Sequence, residues 1–166
     1  MFNCGDLIVY GNNGVCRVEE ITEMSLTGGE EQLYYVLKSK TAGGTAYVPV
    51  NSPVYMRPVM SQQEAEELVR QIPFVKTDCF EVSNARDMQK LYRKTIQSHD
   101  CVQIISLIKH IRRTEKKKQE MKKKLSSTEE RFLEQAMKII NSELSVALNL
   151  EPQKLPEYIA AHTGEN

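Results

Sequence analysis

The sequence predicts an α+β protein in which a small antiparallel β-barrel is followed by an all-α helical domain. Six of the eleven aromatic residues lie before Ser61, together with four short segments rich in the valine, isoleucine and tyrosine that favour strands. After Ser61 the apolar residues follow helical spacing, and nearly all lysines lie there. We therefore expect a first domain over residues 1–60, a helix and linker over 61–83, and a helical domain over 84–166.

Four strand candidates precede Ser61: residues 6–10, 15–21, 33–39 and 45–50. Glycine-bearing turns separate them, and the first turn contains Asn13-Gly14, a strong hairpin signal. Pro49 predicts that the last candidate is an edge strand, because proline cannot donate to a ladder. Short strands at this spacing are typical of an SH3-like or Tudor-like barrel. An open edge can pair with a partner strand, and a proline can equally protect the edge from aggregation. Both interpretations stay open.

Four polar residues that precede helically spaced apolar residues predict helix starts: Ser61, Asn84, Asp100 and Ser126. The first of them forms a capping box with Glu64. We expect this helix to end near Gln71 and the second to end near Gln97. A short helix over 152–161 is expected to complete the bundle, and residues 72–83 are expected to be a linker.

Positive charge is concentrated in one stretch of a chain whose net charge is zero. Residues 86–124 contain thirteen basic and four acidic residues, a net charge of +9, and polyanions are the usual partners of such a stretch. On the helix after Asn84, four basic residues lie opposite the apolar face: Arg86, Lys90, Arg93 and Lys94. This face could lie along a phosphate backbone and position the protein without reading sequence. An ordinary solvated surface is the alternative.

Catalysis finds little support in the sequence. The three histidines have no cysteine or carboxylate at metal-ligand spacing, and no nucleotide-binding or nucleophile motif occurs. The four cysteines lack CxxC spacing, so reduced thiols of a cytoplasmic protein are expected. No apolar stretch is long enough to span a bilayer. We expect no enzymatic activity, metal, cofactor, small-molecule substrate or membrane association.

Several residues of the first domain match the pattern of a known family: Phe2, Gly5-Asp6, Val9-Tyr10, Gly14-Val15, residues 35–37 and residues 48–50. Through them the chain resembles the CarD/CdnL family of bacterial transcription regulators. This domain is similar to the family's RNA-polymerase-interacting domain, which also occurs in the transcription-repair coupling factor. Downstream the resemblance is carried by Asn84, Lys90, residues 98–100, residues 125–126 with Glu129, and residues 143–144.

The resemblance implies two binding functions. The Tudor-like domain would bind the β subunit of RNA polymerase by strand pairing, and the helical domain would contact promoter DNA and stabilise the open complex. Five residues are expected at the polymerase: Met24, Tyr47, Val48, Pro49 and Val50. Met24 and Tyr47 align with arginines that some members use. The four basic residues of the second helix, from Arg86 to Lys94, are expected to hold DNA phosphates.

The sequence departs from the family at the positions that contact DNA. Well-known members have a tryptophan directly after the equivalent of Asn84, whereas this chain has Ala85 and no tryptophan. An apolar wedge can offset part of the cost of unstacking a base step, and alanine is too short to do so. Glu130 replaces a basic residue of those members, whereas Lys90 is kept.

Two other functions remain open from the sequence. One is a protein-interaction adaptor that docks on RNA polymerase without productive DNA contact. The other is an RNA-binding barrel, which fits the strands but is disfavoured by the net charge of −2 over residues 1–60.

Overall fold

The computed structural model describes residues 1–164. They form two compact units, one over residues 1–60 and one beginning at Ser61. The first unit is an antiparallel sheet and the second is a set of helices. The predicted α+β fold class is therefore confirmed.

Five strands form the sheet: β1 (Leu7–Tyr10), β2 (Val15–Met24), β3 (Gln32–Ser39), β4 (Thr45–Pro49) and β5 (Met56–Pro58). Their order is β4-β3-β2-β1-β5, and every neighbouring pair is antiparallel. The first four strands lie close to the predicted segments, and β4 is an edge strand as Pro49 indicated. Strand β5 is not predicted from the sequence, because this three-residue strand ending in proline is recognisable only by its pairing with β1.

The turn between β1 and β2 occupies the predicted residues but uses different conformations. Gly11 and Gly14 have positive φ angles of 50° and 89°, whereas Asn13 does not. The Asn13 N–H donates to the Tyr10 carbonyl at 2.9 Å, and the Tyr10 N–H donates to the Gly14 carbonyl at 3.1 Å. The two glycines therefore supply the left-handed backbone that the hairpin requires.

One buried core cluster of the first unit lies on a single face of the sheet. Its buried members are Ile8, Cys16, Val18, Tyr35, Leu37 and Val48. The Tyr35 ring lies 5.8 Å from the Phe2 ring, and its hydroxyl accepts the Phe2 backbone N–H at 3.0 Å. A β-bulge between Val18 and Glu20 interrupts the register with β3, and a bulge of this kind bends its strand. Burial raises the pKa of the Cys16 thiol.

The second unit contains five α-helices: α1 (Gln62–Gln71), α2 (Ala85–Gln97), α3 (Cys101–Glu120), α4 (Ser127–Ala147) and α5 (Leu155–Thr163). All four predicted caps are confirmed, because each side-chain oxygen accepts a backbone N–H of the first turn. A 3-10 turn at Pro152–Lys154 precedes α5. Helix α4 contacts each of the other four helices and forms the centre of the bundle.

Residues 72–83, expected to be a linker, pack against the helices instead. They contain two 3-10 turns, Ile72–Phe74 and Asp78–Phe80. The buried Phe80 ring stacks on His110 of α3 at 5.0 Å and lies 5.9 Å from the Tyr92 ring of α2. The segment has no helical periodicity, and contacts with residues distant in sequence give it a fixed position.

We expect His110 to make the stability of this unit depend on pH. Burial and, to a smaller extent, the charge of Arg113 lower its pKa below the usual 6.5, although Glu129 opposes the shift. The unfolded chain therefore binds the proton more readily, so the stabilisation present above pH 6.5 is lost as the pH falls toward the folded-state pKa.

The measurement is the urea midpoint of the parent and of His110→Phe at pH values on either side of this window. Phenylalanine keeps a ring against Phe80 but cannot bind a proton. The parent should lose more stability on acidification than the variant, and equal losses would contradict the assignment.

Candidate functional site

Strand β4 has one open edge in the part of the chain that the structure describes, because it pairs only with β3. At one end of this pairing the Ser39 N–H donates to the Gly44 carbonyl at 3.1 Å. At the other end the Val50 N–H donates to the Leu33 carbonyl at 3.0 Å. Along an antiparallel strand, every second residue directs its backbone N–H and carbonyl to the same neighbouring strand. Positions 46 and 48, like 44 and 50, therefore face β3.

The alternate positions direct their backbone groups away from the sheet. These are Thr45 and Tyr47, each with an N–H and a carbonyl, and Pro49, which has only a carbonyl. Pro49 thus removes a donor only on the open side, where no ladder bond is lost. The β4 edge, defined as Thr45, Tyr47 and Pro49, offers two donors and two unoccupied acceptors, because the Pro49 carbonyl already accepts the Ser52 N–H at 2.9 Å. Thr45 lies within the predicted strand 45–50 but was not among the five residues expected at the polymerase, although it shares the alternation of Tyr47 and Pro49.

The opposite edge of the sheet is less suited to pairing. Just before β5 the Tyr55 carbonyl accepts the Gly11 N–H at 2.7 Å, and just after the strand the Val59 N–H donates to the Leu7 carbonyl at 3.1 Å. By the same alternation, Met56 and Pro58 lie at the outward positions. This edge therefore offers one donor, against two on the β4 edge.

The side chains predicted to contact the polymerase have different environments. Tyr47 is 52% exposed, whereas Val48 is only 2% exposed and lies in the core. Neither the side chain nor the backbone groups of Val48 face the open edge, which corrects its expected role as a contact. Val50 packs partly against the core, and Met24 is half-buried at the end of β2, two strands away from β4.

The four basic residues of α2 are all exposed: Arg86, Lys90, Arg93 and Lys94. We call them the α2 basic face. The opposite side of the helix buries Tyr92 and Ile96. Within residues 1–164 none of the four cations forms a salt bridge, so their charge is not neutralised by the protein. Their arrangement allows simultaneous contact with an extended polyanion.

The two lysine runs have different settings. Residues 116–118 lie in the last turns of α3, where the Lys118 Nζ contacts both Glu129 carboxylate oxygens, at 2.8 and 3.1 Å. Residues 122–124 form part of the exposed loop before α4. The first run therefore lies at the end of a helix and the second in a loop.

The positions at which the sequence departs from the family are accessible. Ala85 is exposed as the first residue of α2, and Glu130 is exposed in the first turn of α4. Asn84 caps α2 by accepting the Asp87 N–H at 2.8 Å. The exposed end of this helix therefore carries a methyl group where an apolar wedge would need a large side chain.

Within residues 1–164 the structure shows no group of three histidine, cysteine, aspartate or glutamate side chains arranged to hold a metal ion. His110 is packed among aromatic rings, and His162 stacks on Tyr158 at 4.0 Å. None of the helices in this range is long and apolar enough to cross a membrane.

Comparison with protein families gives two matches that together account for most of the chain. Residues 2–60 match the CarD-like/TRCF RID domain, and residues 76–160 match the CarD C-terminal domain. No curated protein matches the sequence. The matched families contain non-enzymatic transcription regulators. The chain therefore belongs to the CarD-like family of transcription regulators that interact with RNA polymerase.

Proposed function

We propose that this regulator docks on the polymerase β subunit through the β4 edge and holds promoter DNA through the α2 basic face. Bound in this way, it would modulate the stability of the open complex at initiation. The outward backbone groups of Thr45 and Tyr47 carry the proposal. A partner strand that pairs with them gains main-chain hydrogen bonds, while the alternate side chains provide selectivity.

The DNA part of the proposal is supported by four exposed cations on one helix face that form no salt bridge among the described residues 1–164. Each cation that neutralises a phosphate releases condensed counterions, which supplies affinity independent of base sequence. Such contacts fix the position of a protein on the duplex. Because Ala85 cannot act as a wedge, we limit the proposed DNA contact to the phosphate backbone.

A second candidate function is an adaptor that docks on polymerase without productive DNA contact. The exposed Ala85 and Glu130 favour it, because one removes an apolar contact and the other places negative charge near the expected DNA surface. The two functions share the β4 edge and differ only in the need for the α2 basic face.

Tyr47→Pro should weaken binding to purified RNA polymerase by about tenfold or more. The substitution removes the outward N–H, leaving an acceptor of the partner strand unpaired at a cost of about 1–3 kcal/mol. It breaks no bond to β3, because the Tyr47 N–H faces outward. Surface-based binding measurements with the intact chain and core polymerase give the dissociation constants.

Two variants serve as controls for this experiment. Met56→Pro removes the equivalent donor from the opposite edge and should leave binding unchanged, while Tyr47→Ala removes the exposed ring but keeps the N–H. Equal binding by Tyr47→Pro and the parent would rule out pairing at β4. A loss shared by Tyr47→Ala would assign the contact to the ring rather than to the backbone.

A further inference from the structure

A second surface of the helical unit has the features of a docking site. A groove of about 870 Å³ lies between the segment 71–80 and helices α2 and α3. Its apolar walls are formed by Phe74, Val75, Phe80, Leu91 and Val102. We call it the Phe74 groove. The β4 edge belongs to the other unit, and among the residues that line the groove only Lys94 is also part of the α2 basic face.

The walls of the groove expose large apolar side chains to solvent. Phe74 is 81% exposed and Val102 is 42% exposed. Scattered single apolar residues need no explanation, but apolar side chains gathered around one concavity mark interaction sites. Aromatic side chains at the centre of such a site commonly supply much of the binding energy.

Three side chains of α3 hold the Phe74 segment in place. The Lys109 Nζ donates to the carbonyls of Ile72, Pro73 and Val75 at 2.8, 3.3 and 2.9 Å. A little further along the chain, the Ser106 hydroxyl donates to the carbonyl at position 76, and Arg113 donates to the hydroxyl at position 77 at 2.8 Å. The segment is thus attached at five of the six positions from 72 to 77.

This attachment matters for binding because an ordered surface loses less conformational entropy when a partner arrives. The charged Lys109 side chain donates to backbone carbonyls within and directly after the first 3-10 turn, whose last residue is Phe74. The ring is therefore presented to solvent by a fixed backbone. The burial of Phe80 and Tyr92 does not require Phe74 to be exposed. Packing within the unit therefore does not explain the exposed Phe74 ring.

The charge of the groove indicates the character of its partner. Lys76 and Lys94 are its charged residues, and no acidic residue is among the described residues that line it. Lys90 and Arg93 continue the positive charge along α2. A complementary partner therefore combines apolar anchors for the walls with acidic residues for the rim.

We propose that the Phe74 groove docks an amphipathic protein segment with apolar anchors and an acidic flank. An amphipathic helix presents its anchors at i, i+3, i+4 and i+7 to such a groove. Single-stranded nucleic acid is less well matched, because its sites place cations along the backbone track beside stacking rings. Here five apolar walls accompany only two lining cations.

The test is a selection of random displayed peptides of about 16 residues, roughly four helical turns, against the intact chain. Selected peptides should share helically spaced apolar residues and be rich in aspartate and glutamate. A synthetic copy of one such peptide should bind Phe74→Ala at least about tenfold more weakly than the parent. Lys94→Glu should also weaken it, through repulsion of the acidic flank.

Met121→Ala is the matched control, because Met121 is 60% exposed in the same unit but lies outside the groove. It should bind the peptide as the parent does. Peptides that bind Phe74→Ala as tightly as the parent, or a selection without the acidic pattern, would overturn the proposal. It would also be overturned if single-stranded DNA, and no peptide, lost affinity on Phe74→Ala.

Discussion

Val48→Glu should unfold the N-terminal unit. The side chain is almost completely buried against the core of the sheet, where a carboxylate would have no water. Burying a polar group without a partner costs about 2–7 kcal/mol, and more for a charge. A unit of 60 residues has only about 3–9 kcal/mol of stability. We expect circular dichroism to show loss of the cooperative transition of this unit.

Tyr47→Glu provides the matched comparison for this variant, because it introduces the same charge at the directly preceding position. Tyr47 projects from the opposite face and is half-exposed, so its carboxylate remains in water. The sheet should therefore unfold near the parent midpoint. If Val48→Glu were as stable as Tyr47→Glu, the assigned core would be wrong. If Val48→Glu is the less stable variant, its loss of polymerase binding results from unfolding and not from a missing contact.

The difference between these two residues shows what the sequence could predict about the sheet. Valine, tyrosine and the glycine turns indicate strands near the correct positions, and Pro49 indicates the edge. These signals do not show which residues direct their backbone groups to the partner strand, because either set of alternate residues could do so. The backbone bond from Val50 to Leu33 resolves this choice. Strand β5 carries no such local signal, because pairing with β1 alone creates it.

In the helical unit, too, some features could be predicted from the sequence and others could not. Local chemistry fixes the helix starts, so Asn84 and Asp100 are recognisable from the sequence and cap as expected. The order of residues 72–83 depends on Lys109 and Arg113, more than thirty positions further along the chain. No short stretch of sequence contains both partners of these contacts, so the Phe74 groove could not be predicted from the sequence.

Reversing two charges of the α2 basic face should weaken promoter DNA binding on the order of 50-fold at about 0.1 M salt. Lys90→Glu with Arg93→Glu would remove two phosphate contacts, each contributing about 0.9 to the dependence of log K on log salt. The salt slope should therefore fall by about 1.8. Both side chains are exposed, so folding should be unaffected. Fluorescence anisotropy with a promoter duplex across several salt concentrations gives both quantities.

Lys122→Glu with Lys123→Glu applies the same change in net charge to the exposed loop before α4. If contact with DNA is localised on α2, this control should change the affinity only a few-fold and leave most of the salt slope. Equal losses in the two double variants would indicate general electrostatic attraction instead. Binding to isolated polymerase should persist in both, because the β4 edge is intact. Unchanged promoter complexes with Lys90→Glu and Arg93→Glu would favour the adaptor, since docking would then suffice without the α2 basic face.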